Sequence, residues 1–234
     1  MSEETKKEET KKEIKESSEQ IKSEAKSTFK DAKESIKNVN FKNDAKVTSG
    51  YVTGLFKKPL ATLHEIAQDS KNSKFKYALI LVIIWLIVVF LRSIFGVHWS
   101  FKYVGFNFLT VIKDLLGPIL GIIALSGTIF LMQKGTKKKS LTTVITTVTT
   151  AVSPLILANI LMLLTLFSSD ILRILSPIKS FATVLTAVFV FFGSKDLIGE
   201  DESAKFVNKF IVIQAIYFVI YFLLTFLGIS IPMV

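Results

Sequence analysis

The feature that most constrains this chain is an unbroken apolar run at residues 77–95, YALILVIIWLIVVFLRSIF, whose only charge is Arg92 near its end. At about 1.5 Å per residue, such a helix matches a hydrocarbon core of about 30 Å. Four more apolar segments follow, at residues 115–132, 141–167, 178–193 and 206–229. Half of the 234 residues are hydrophobic and the mean hydropathy is +0.49, and the apolar residues fall in long runs. Runs of this length and apolarity read as membrane-spanning helices. The predicted fold class is therefore all-α: a polytopic membrane protein with a five-helix transmembrane bundle and a charged, partly helical or disordered N-terminal tail.

Three regions follow: a Lys/Glu-rich tail over 1–50, an amphipathic lead-in over 51–76, and a membrane domain over 77–234. The tail holds 12 lysines and 11 acidic residues. Its apolar residues Ile14, Ile21, Ala25, Phe29, Ala32 and Ile36 recur near the helical period, and Ile14, Ala25 and Ile36 share an eleven-residue repeat. The stripe is thin, and burying it offsets little ordering entropy. The expectation is a solvated, fluctuating tail; a surface-seeking or partner-binding amphipathic helix is the alternative. The opening MSEETKKEET has no apolar h-region, so insertion is expected to begin with the first span.

In the lead-in, Leu55, Phe56, Leu60, Leu63, Ile66 and Ala67 form a stronger stripe, and Pro59 suits a first helical turn. Residues 59–69 are expected to lie as a short helix under the bilayer surface. Residues 104–114 are expected to form a separate interfacial helix, or to continue into the second span with a kink at Gly117–Pro118. Pro154 divides the third span into a threonine-rich half and a greasy half and should bend it there. Trp99 and Tyr103 fit the headgroup level.

Lysine placement sets an orientation. The 29 basic residues include only two arginines, Arg92 and Arg173, which argues against a nucleic-acid reader. Lys57, Lys58, Lys71, Lys74 and Lys76, then Lys134, Lys137, Lys138 and Lys139, then Lys195, Lys205 and Lys209 fall on one side. Lys102, Lys113, Arg173 and Lys179 fall on the other. Positive charge follows the cytoplasm, so five spans are expected to put the N-terminus in the cytoplasm and the C-terminus outside the cell membrane.

Chemistry-bearing motifs are scarce. With no cysteine there is no thiol catalysis, disulfide or cysteine–zinc site. His64 and His98 lie on opposite predicted sides, and His64-Glu65 lacks the second histidine of a zinc-protease helix. Asp114 and Asp170 do not match an intramembrane aspartyl protease. No enzyme activity, cofactor, metal or nucleic-acid partner is expected. The partners expected are the bilayer and a protein, a second copy included.

The polar residues within the spans are candidates for helix packing or for a polar path: Asp114, Gly117, Pro118, Gly121, Thr147, Thr150, Ser153, Pro154, Asn159 and Gln214. Threonine can bond its own helix and small residues allow close approach, so packing is favoured. Gly117 and Gly121 could seat a neighbouring helix.

The proline-bearing lead-in GLFKKPLATLHEIAQDS, five close spans, the lysine-rich loop after the second, Ser153-Pro154 in the third, and DLLGPIL at 114–120 together resemble the Yip domain family of Ypt/Rab-interacting membrane proteins. Leu116 stands where an aromatic is usual, and the composition suits a bacterial member. The resemblance implies a non-enzymatic membrane adaptor or scaffold whose tail engages membrane or protein partners. The alternative is a small-solute or lipid transporter or channel using the threonine-rich, proline-broken third span.

Overall fold

In the computed structural model, residues 3–38, 40–69, 71–104, 107–133, 138–167, 170–200 and 202–232 are described, and among these all regular structure is helical. The helices are α1 (Glu3–Lys37), α2 (Phe41–Lys57), α3 (Pro59–Ala67), α4 (Phe75–Val104), α5 (Phe108–Met132), α6 (Leu141–Ala151), α7 (Ser153–Met162), α8 (Asp170–Ile198) and α9 (Ser203–Phe226); a 3-10 turn, Leu163–Leu166, extends α7.

Four helices, α4, α5, α8 and α9, are long and apolar enough to cross a membrane, and the pair α6–α7, bent by 46°, passes the same test when its two halves are taken together as one broken span. The bend has the cause read from the sequence. Pro154 sits in the first turn of α7, where its missing N–H costs nothing, but it cannot continue α6. Pro118 and Pro177, by contrast, are carried inside α5 and α8. The 104–114 segment is thus no separate helix: from Phe108 it is the first part of α5, whose start is capped by Asn107 accepting from the Leu109 amide at 3.0 Å. The fourth span likewise begins eight residues ahead of the expected position, at Asp170, because one lost backbone bond at Pro177 does not end an otherwise apolar helix.

The charged tail, expected to be partly helical or disordered, is helical over α1 and α2, and α2 continues through residues 50 and 51. Helices α1–α3 cap the end of the bundle where α4 and α6 start and α5 and α8 finish.

Burial is graded across the spans. Nine of the eleven residues of α6 are buried, whereas only 11% of the apolar window of α9 is. A helix that is apolar all round and mostly uncovered by protein is one that lipid covers. Val144 and Val148 of α6 share a buried core with Leu63, Ala67, Leu125, Ile129, Phe189, Val190 and Ile213. The lead-in stripe splits accordingly: Leu55, Leu63, Ile66 and Ala67 are buried in the bundle's own end, and Phe56 and Leu60 remain exposed.

Candidate functional site

At the capped end, the first helix is held by polar atoms. Glu24, Thr28 and Asp31 lie on one face of α1, at the helical spacing of four and three. A Glu24 carboxylate oxygen accepts from the Leu141 amide at 3.3 Å, Thr28 Oγ1 meets Thr142 Oγ1 at 3.1 Å, and Asp31 Oδ2 accepts from Thr142 Oγ1 at 3.1 Å and Asn72 Nδ2 at 3.3 Å. Asn72 is the hub. Its backbone is left-handed (φ 53°), which asparagine tolerates, and its Oδ1 accepts from Ser140 Oγ at 3.0 Å and Thr143 Oγ1 at 3.1 Å. Ser140 in turn caps α6 by accepting from the Thr143 amide at 3.1 Å.

The next helix is pinned by charge. Lys76 at the start of α4 donates to Asp44 of α2 at 2.7 Å, and Asp44 also accepts from the Asn40 amide at 2.9 Å. The Lys76 bond first, and then the Asn40 bond, hold the Asp44 carboxyl below the usual carboxylate range. Lys74 pairs with Glu65 at 2.6 Å, and His64 lies 3.3 Å from Asp196.

Held this way, α1 turns its apolar stripe outward. Phe29 is 75% exposed and Ile36 57%. Ile21 and Ala25 are exposed beside them, as are Lys22, Lys26, Lys30, Lys33 and Lys37.

The opposite end holds a cavity of about 560 Å³. Helix α4 lines it with Trp85, Val88, Val89, Arg92 and Ser93, α5 with Asp114 and Pro118, α7 with Leu155 and Asn159, and α8 with Lys179 and Thr183. Ser93 donates to Asp114. Asn159 gives an amide hydrogen to the Leu155 carbonyl at 2.8 Å.

The remaining wall is an extended segment after α9. Gly228 (φ 75°) ends that helix in a reversing motif, with the Ile229 amide bonding the Leu224 carbonyl and the Gly228 amide bonding the Thr225 carbonyl, both at 2.9 Å. The chain then turns back along α9, so that Tyr217 donates its hydroxyl to the Pro232 carbonyl at 2.5 Å and Ile231 is buried in the core. Gly117 and Gly121 make room for it. A Cβ on Gly117 would stand 2.1 Å from the Ser230 carbonyl oxygen, and one on Gly121 would stand 2.6 Å from Pro232 Cδ. The small-residue pair therefore seats an extended segment of this chain, with Tyr217 of α9 3.4 Å from a Cβ on Gly121.

Of the sequence candidates, Asp114, Pro118 and Asn159 meet in the cavity, with Gly117 and Gly121 beside it under the returning segment. Thr147, Thr150 and Ser153 are buried at the α6–α7 bend, away from the cavity lining. Thr146, Thr147 and Thr150 each donate to the carbonyl four residues earlier, at 2.8–3.0 Å. The Ser153 hydroxyl is buried with no partner among the described residues, and Pro154 makes the bend. Gln214 is half-buried on α9, off the cavity. The side chains of Ile14, His98, Trp99, Lys102, Tyr103 and Asp170, and all of Lys134 and Lys137, lie outside the described residues. Sequence reasoning missed Ser93, Trp85 and Thr183. It treated Arg92 and Lys179 as edge charges, although their shared side of the membrane was the available signal.

Comparisons with protein-family models, curated proteins and solved structures found no match.

Proposed function

We propose that this protein is a non-enzymatic integral membrane adaptor similar to Yip domain proteins, in which the helical bundle is the anchor and the N-terminal cap is the working surface. The observation that carries this reading is the orientation of α1. Its polar face, Glu24, Thr28 and Asp31, is spent on the bundle, which leaves Phe29 and Ile36 exposed among lysines. An apolar stripe flanked by lysines suits an acidic membrane surface, where the lysines meet anionic headgroups and the stripe enters the acyl boundary. The capped face is taken as the cytoplasmic face of the cell membrane. The support is its share of lysines, Lys57, Lys58, Lys71, Lys74, Lys76, Lys195 and Lys205 among them.

The test uses the full chain in phosphatidylcholine nanodiscs with added vesicles containing phosphatidylserine. Binding that is lost in the F29S/I36S variant, and absent with phosphatidylcholine vesicles, supports the reading. No binding by the parent chain overturns it, as does binding that F29S/I36S leaves unchanged.

The transporter alternative draws less support from the third span, because the hydroxyls of Thr146, Thr147 and Thr150 are satisfied within their own helix.

A further inference from the structure

The cavity at the uncapped end has a charge imbalance that anchoring does not use. Arg92 on α4 and Lys179 on α8 both line this one space. Among the described residues, neither has a carboxylate oxygen within 4.0 Å. Among the described residues the lining holds one carboxylate, Asp114, whose oxygen already takes the Ser93 hydrogen. The described lining thus carries one positive charge in excess, between membrane-spanning helices where ionisable groups are costly unless matched.

A guanidinium fork and an ammonium that line one cavity can together take a phosphate. The fork supplies two parallel donors and the lysine a mobile point charge. Trp85 and Leu155 make part of the wall apolar, and about 560 Å³ is within the usual size of ligand sites. We infer that this cavity binds a phosphate-bearing anion, free or as the headgroup of a lipid, between Arg92 and Lys179.

Trp85 reports on the site, and Trp99 is the only other tryptophan, so a W99F background isolates its emission. The full chain in phosphatidylcholine nanodiscs is titrated with inorganic phosphate at constant ionic strength, and in a second arm the nanodiscs carry increasing phosphatidic acid. A saturable change in Trp85 emission with phosphate alone assigns a free anion. A change with phosphatidic acid alone assigns a lipid headgroup. In either case R92Q/K179Q should weaken binding by about tenfold or more and R92K/K179R should retain most of it. D114N, whose amide oxygen still accepts from Ser93, should bind severalfold more tightly because a competing negative charge is gone. No saturable change in either arm overturns the inference. So does an unchanged affinity in R92Q/K179Q, or weaker binding in D114N.

Discussion

Asp31 on the charged first helix accepts a hydrogen bond from Thr142 at the start of α6 at 3.1 Å, although 111 residues separate them. Contacts of this kind explain how a segment with the composition of a disordered tail packs on the bundle. The polar face that looks like solvent exposure in sequence is the docking face.

Removing that contact should loosen α1 without unfolding the bundle. D31A and T142A should each lower the protection of α1 against amide hydrogen exchange by about 1 kcal/mol, and the double variant should cost less than their sum. Additive effects would show that the two side chains do not interact.

The Asp44–Lys76 bond predicts an acid-sensitive attachment of α2. The folded-state pKa of Asp44 is depressed, so its contribution is fully present above the ordinary value of about 3.9 and is lost as pH falls through the depressed value. Exchange protection of residues 41–57 should therefore include an Asp44-dependent component that is flat from neutral pH to about pH 4 and declines below it. In D44N that acid step should be missing, with protection already reduced at neutral pH. A step of equal size in D44N would assign it to another group.

The returning segment makes glycine substitutions diagnostic. G117A places a methyl group against the Ser230 carbonyl and should displace residues 229–232, releasing a spin label at Ile231. G127A, where a Cβ meets nothing within 4 Å, should leave the label immobile and change stability by no more than about 1 kcal/mol. Equal label mobility in the two variants would refute the seating.

The buried threonines act locally. T147V and T150V keep the side-chain volume and remove a bond only to the same helix, so each should shift stability by no more than about 1 kcal/mol. A much larger loss in thermal unfolding would mean that these hydroxyls serve a partner on another helix.

The spans were legible because lipid demands length and continuous apolarity, and the run at 77–95 answers to nothing else. The bend at Pro154 was legible from the missing amide. The starts of α5 and α8 were not, since Lys113, Asp114 and Pro177 look like interruptions, yet an interfacial turn tolerates charge and one forgone hydrogen bond. The cavity was half visible. Asp114, Pro118 and Asn159 stood out as polar or helix-breaking residues in apolar runs. Their convergence with Arg92 and Lys179 depends on how four helices pack, and no local pattern carries that information. The role of Gly117 and Gly121 was hidden for the same reason, because a pair of small residues does not specify what lies against it.

The most direct test of the account is the sidedness of its two ends. The chain has no cysteine, so S27C on α1 and L227C after α9 each give one reactive site. In oriented membrane vesicles, a membrane-impermeant maleimide should label these two positions from opposite sides, as an odd number of crossings requires. Labelling of both from the same side would contradict the five-span bundle with its cap and its cavity at opposite ends.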